Sequence, residues 1–156
     1  MIIETKFFGP KEIDASEMIT FKQGIPGFEN LHRYVLLKYR NDSPFLIMQS
    51  VDSGELALIV IPLVTVVPNY SIDLSDDVAA ELKLAKPEDA AAVAVVVLPA
   101  DIAQATVNLA APIIINQQEH LAKQVILDHP AYGLKHPLFQ AEAEPDTRKK
   151  VVNGSR

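Results

Sequence analysis

The chain has no cysteine, so it can form no disulfide and offers no thiolate to a metal, a composition that fits a reducing compartment. It has no excess of basic charge either, since 14 lysines and arginines stand against 20 acids and leave a net charge of −6. Direct phosphate binding needs a basic footprint, and interleaved aromatic and basic residues are scarce, so no nucleic acid is expected as a direct partner. Long apolar runs are also missing. The longest, AAAVAVVVLPA, is broken by Pro99 and falls short of the ~18 residues of a membrane span. The N-terminal stretch carries Glu4, Lys6, Lys11, Glu12 and Asp14, and has neither the basic head nor the apolar core of a secretory signal. A cytoplasmic protein with no membrane partner is the expectation.

What is present is 156 residues with 49% hydrophobic content, enough for one domain that buries roughly 70% of the surface its unfolded chain exposes. The stretch that organises it runs from Asn108 to Asp128. NLAAPIIIN and QVILD flank the polar residues Gln117, Gln118, Glu119 and His120, a pattern for two antiparallel strands and an exposed turn. The isoleucines are continuous rather than alternating, which marks a strand covered on both faces, hence a central one. Pro112 stands at the start of that run, where a missing backbone donor does least harm. Asn108 and Asn116 flank it and can satisfy backbone groups where strands end, or contact a bound chain.

Further strands are expected at Ile2 to Phe8, closed by Gly9-Pro10, at Met18 to Phe21, Tyr34 to Lys38, Phe45 to Val51, Leu56 to Ile61 and Val93 to Leu98. Between them, Gly24, Pro26 and Gly27 force a bend in GIPGF, with Ile25 and Phe28 as its apolar anchors. That loop lacks the lysine and hydroxyl of a phosphate cradle and reads as structural. Pro62 and Pro68 bracket LVTVV, an edge segment or irregular connection. Helical periodicity is clear only from Ser75 to Leu84: Ser75 can cap, Asp76 and Asp77 suit the positive end of the dipole, and Lys83 suits the negative end. The fold class is therefore mainly β, a single domain over residues 1–139 of largely antiparallel strands with one or two short helices. Residues 140–156 form a polar tail expected to be disordered or weakly helical.

Nothing in the spacing points to catalysis, and no cofactor or metal is expected. Four histidines occur, none paired at helical spacing. The nearest approach to a site is Asp128, His129, Tyr132 and His136. There each histidine precedes a proline, which favours an ordered turn over an acid/base pair at a barrel mouth. A small barrel that binds or transforms a metabolite near His129 and His136 is the alternative reading. Charge is more informative. From Asp73 to Asp101 seven acids face two bases, which makes Asp76, Asp77, Glu81, Glu88 and Asp89 candidates for contact with a basic partner. Phe45, Ile47 and the edge near Leu63 to Val67 are candidates for an apolar docking surface.

ETKFFG, ITFKQGIPGFENL, MQSVDSGELALIV, NLAAPIIIN, KQVILD and YGLKHPL occur in an order that resembles the flagellar assembly factor FliW family, over about residues 1 to 138. The resemblance implies a mainly β, barrel-like domain. It also implies a non-enzymatic cytoplasmic factor that binds flagellin and antagonises CsrA, the translational repressor of flagellin messenger RNA.

Overall fold

The computed structural model describes residues 1–71 and 73–139; the tail expected at 140–156 lies outside them. The chain begins with a hairpin, β1 (Ile2–Thr5) and β2 (Gly9–Glu12), rather than the single strand expected up to Phe8. Thr5 turns the chain early, because its hydroxyl accepts from the Phe8 amide at 2.9 Å and donates to the Gly9 carbonyl at 2.7 Å. Gly9, at φ +66°, therefore opens β2 instead of ending β1.

Next come β3 (Ile19–Phe21), β4 (Arg33–Lys38), β5 (Leu46–Ser50), β6 (Ala57–Pro62), the one-turn helix α1 (Leu63–Val66) and α2 (Asp76–Glu81). The remaining strands are β7 (Ala90–Val97), β8 (Thr106–Val107), β9 (Ile113–Asn116), β10 (Leu121–Gln124) and β11 (His136–Pro137). Strands β3, β4, β5, β6, β7, β9 and β10 close a seven-stranded barrel. Each neighbouring pair is antiparallel except the closing one, β10 on β3, which is parallel and joined by the Thr20 amide to the His120 carbonyl at 2.9 Å. β7 is the long strand of the barrel. One edge pairs with β6, while the other pairs with β9 over Ala90 to Val93 and with β8 at Val96 and Val97. β11 adds to β8.

The continuous apolar runs result from this closure. Within the barrel lie Phe21, Tyr34, Met48, Val60, Ile113 and Ile115. The residues between them in sequence face outwards but are buried too. Val35, Leu37 and Ile47 lie under Ile3 and Ile13 of the N-terminal segment, and Ile114 packs with Leu82 and Leu121 beneath α2. β9 is thus paired on both edges and covered on both faces, as the unbroken isoleucines predict.

Local chemistry settles several smaller points. In the GIPGF loop, Gly24 has φ +69°, and a Cβ there would come within 2.6 Å of the Glu29 Cα, so this glycine has no substitute. Ile25 anchors the loop in the core, whereas Phe28, expected to do the same, is 43% exposed. LVTVV, left open between edge segment and irregular connection, is a helical turn with Leu63 buried and Val64 exposed. α2 starts as expected, with the Ser75 hydroxyl accepting from the Val78 amide at 3.2 Å. It stops earlier than expected. Lys83 lies past its end at φ +57°, with the Lys83 amide bonded to the Ala80 carbonyl and the Leu84 amide to the Ala79 carbonyl, a Schellman closure.

Ile113→Ala should lower unfolding stability by about 2–5 kcal/mol in urea titration followed by circular dichroism, because the barrel interior cannot collapse around the lost atoms. A loss below about 1 kcal/mol would place Ile113 at an edge.

Candidate partner-binding groove

Outside the barrel, α1, residues Tyr70, Ser71, Asp73 and Leu74, α2 and the start of β7 border a groove of about 710 Å³. Its walls are Leu63, Leu74, Ala79 and Leu84, and its floor includes Ala90, Ala92 and Ile114. The triple alanine Ala90-Ala91-Ala92 accounts for the depth. It pairs with Asn116, Ile115 and Ile114 of β9, and its methyl side chains leave unfilled the volume that larger strand residues would occupy. Helix-favouring alanine is held in a strand here because the triplet is paired along its length with β9 and continues directly into the Val93 to Val95 stretch that pairs with β6.

Asn116 hangs the groove's helix on the barrel. It is 1% exposed, and its Nδ2 donates to the Leu82 carbonyl at 2.7 Å and to the Lys83 carbonyl at 3.1 Å, two acceptors at the end of α2. Its Oδ1 accepts from the amides of Gln118 at 2.9 Å and Glu119 at 3.1 Å, which fixes the β9–β10 turn. Asn108 works more locally, with its Oδ1 accepting from the amides of Ala110 and Ala111 at the approach to Pro112.

The opposite wall is held by aromatic stacking. Tyr70 stacks on Tyr132 at 4.4 Å between ring centroids, and His129 stacks on the same Tyr132 at 4.5 Å. The Tyr70 hydroxyl donates to the Leu109 carbonyl at 3.2 Å. Burial, and secondarily the neighbouring Tyr132, pushes the Tyr70 phenol up to about 12.

Charge is concentrated beside this groove. Asp73 lines it, and Asp76, Asp77 and Glu88 are exposed on the adjoining α2 and the 3-10 turn Pro87–Asp89. Among the described residues, Lys86 is the one base in its lining. Of the other expected acids, Glu81 is already engaged, its carboxylate lying 3.2 Å from the Lys123 ammonium, which also donates to Gln23. Asp89 is half-buried, and its backbone carbonyl accepts from the Gln117 amide. Glu81 thereby joins α2 to β10, and its charge is largely neutralised in place.

The apolar surface expected at Phe45 and Ile47 is corrected. Ile47 is 1% exposed beneath the N-terminal hairpin, and Phe45 is half-buried against the cluster containing Ile61 and Leu63. Leu63 is itself 1% exposed, so of that expected edge only Val64 stands out as an exposed large apolar side chain, at 66%. The strand register explains the miss, because an outward-facing residue reads as surface until a hairpin is found lying on it.

The histidines do not converge. His129 Nδ1 accepts from the Ala131 amide at 3.1 Å, while His136 sits on β11 opposite Val107. Among the described residues no group of three or more His, Asp or Glu is placed to hold a metal ion. The barrel interior, where a metabolite would enter, is filled by apolar side chains and by Tyr34.

The comparisons with known proteins agree with this fold. The sequence profile of the family described as FliW protein matches residues 2–138. The chain belongs to the FliW family. Among FliW relatives, the flagellar assembly factor of Caldicellulosiruptor saccharolyticus is 37% identical over 139 residues, covering 89% of this chain and 91% of that protein. The flagellar assembly factor of Clostridium botulinum strain 657 is 36% identical over 143 residues, which cover 92% of this chain and all of the relative. A crystal structure of the flagellar assembly factor FliW superposes with a TM-score of 0.83 at 37% identity, covering 88% of this chain and 96% of the other. These relatives support a role in flagellar assembly, and no helix among the described residues is long and apolar enough to cross a membrane.

Leu74, Leu84, Ala91 and Tyr70 are groove residues that sequence reasoning missed. The available signal was the alanine triplet, too small in volume for a strand packed on both faces.

Asn116→Ala should cost about 1–3 kcal/mol, since it strands two carbonyls and two amides at once, and it should speed amide exchange at Gln118 and Glu119. Unchanged exchange there would detach the side chain from the turn. In an ultraviolet titration, Tyr70→Phe should remove a phenolate step near pH 12 rather than 10. Because the folded phenol binds its proton more tightly than the unfolded one, stability should be undiminished below pH 10 and fall as pH rises through 12. Loss of a step at pH 10 would show Tyr70 to be solvated.

Proposed function

We propose that this FliW-family chain performs no chemistry of its own and works as a partner switch, binding flagellin and antagonising the translational repressor CsrA to relieve repression of flagellin messenger RNA. The observation that carries this reading is an apolar groove bordered by exposed carboxylates on one side of a filled barrel. An export substrate held in the cytoplasm must have its adhesive assembly surface covered, and amphipathic helices lying in an apolar groove meet that requirement. A repressor that holds RNA must carry basic surface, so Asp76, Asp77 and Glu88 both attract it and repel phosphate.

Magnitude limits the electrostatic part. One charge pair at 10 Å in water contributes about 0.4 kcal/mol, and a Debye length of about 8 Å cuts that to a third or so. About ten such pairwise interactions, as between three carboxylates and three or four bases, reach about 1.4 kcal/mol, or tenfold in affinity, so complete RNA release also requires a change in the repressor's shape.

The combined variant Asp76→Lys, Asp77→Lys, Glu88→Lys should weaken CsrA binding about tenfold at low salt in calorimetry, with the difference shrinking at high salt. It should also impair RNA displacement. Val64→Asp, at an exposed lining position, should weaken flagellin binding at least tenfold with the fold intact. Unaltered affinities in both variants would remove this face from the switch.

A further inference from the structure

Three features meet at the groove. The first is its chemistry: an apolar trough with Asp73 in its lining, exposed Asp76, Asp77 and Glu88 beside it, and, among the described residues, Lys86 as the one opposing charge in that lining. The second is where the described chain stops. Leu138 packs on the apolar cluster that contains Leu63 and Tyr70, both of which line the groove, so the polypeptide leaves the barrel next to the groove wall. The third is the extra length of the C-terminus. The family match ends at residue 138, and the C. botulinum relative is matched along its full length by 143 residues, whereas this chain runs to 156. Within the additional stretch, Arg148-Lys149-Lys150 precedes Val151-Val152, a basic triplet leading into an apolar pair.

We propose that this groove takes the chain's own C-terminal segment, with Val151 and Val152 in the apolar trough and Arg148, Lys149 and Lys150 against the carboxylates of Asp73, Asp76, Asp77 and Glu88. Reach is sufficient. Arg148 lies nine residues beyond Phe139, and an extended chain covers about 3.4 Å per residue, so the triplet can lie about 30 Å from the point of departure. Tethering then matters more than intrinsic strength. A short linker holds its end at an effective concentration on the millimolar scale, so a segment that binds only at millimolar strength as a free peptide occupies the groove about half the time when attached. The tail would exclude any external ligand from the groove to that extent and would be displaced by a tighter one. This regulation stands on the groove and on the sequence of the tail, and does not depend on which partner the groove serves.

The absence of cysteine supplies a clean test. In the full chain, Val64→Cys with Val152→Cys places one thiol at the exposed groove lining and one in the tail. The control pair, Ile126→Cys with Val152→Cys, uses a site that is 80% exposed and does not line the groove. Under mild oxidation at low protein concentration, the groove pair should form an intramolecular disulfide at least tenfold faster than the control. Arg148→Glu, Lys149→Glu and Lys150→Glu added to the groove pair should remove most of that advantage at low salt. Circular dichroism melts of the reduced variants verify that the barrel is intact. Equal rates for the two pairs, or insensitivity to the charge reversals, would overturn the proposal. A disulfide that forms only between two molecules would overturn it as well and assign the groove to a second copy's tail. Loss of flagellin or CsrA binding would leave the crosslinking result untouched, so the two readings fail separately.

Discussion

Closure of the barrel is the constraint on which the other features depend. A sheet of seven short strands leaves two edges of unpaired amides and carbonyls unless its ends meet, and here they meet at β3 and β10 through a two-residue parallel contact, Leu121 opposite Thr20 and Ala122 opposite Phe21. Once closed, the barrel has an inside that excludes water and an outside that is still largely apolar. The outside must be covered in its turn. The N-terminal hairpin covers β4 to β6, and α2 covers β9 and β10.

Those two covers are attached differently. The hairpin is sealed by packing and by the Lys6 amide on the buried Gln49 side chain at 2.9 Å. α2 is a short helix held by Asn116, by Lys123 on Glu81 and by a few apolar contacts, and between it and α1 the alanines of β7 leave the surface incompletely filled. The groove is thus a consequence of covering a barrel with a helix too short to span it, at a strand whose side chains are too small to fill the remainder.

Much of the architecture was legible because burial on two faces leaves a simple trace. NLAAPIIIN announced a central strand, and the meander from Tyr34 to Ile61 was visible in its turn compositions. The Ser75 cap marked where the helix starts, although not where it ends. The candidate site was far less legible. Ile47 was read as surface because alternation distinguishes the two sides of a strand but not whether something lies on the outer one. Glu81 was grouped with its acidic neighbours because sequence does not reveal that Lys123, from a strand far along the chain, reaches it at 3.2 Å. Tyr70 and Tyr132 could not be paired from sequence either, since nothing local records a stack between residues so far apart in the chain.

By itself the sequence determined the class of fold, the place of most barrel strands along the chain and the family to which the chain belongs, because periodicity, turn residues and caps act over a few neighbours and leave their mark in contiguous letters. The tertiary structure alone decided that the outer face of β4 to β6 is covered, that Glu81 is occupied, and that an apolar groove opens beside Asp73, Asp76 and Asp77. Those outcomes depend on which distant surfaces come to lie against one another when the barrel closes.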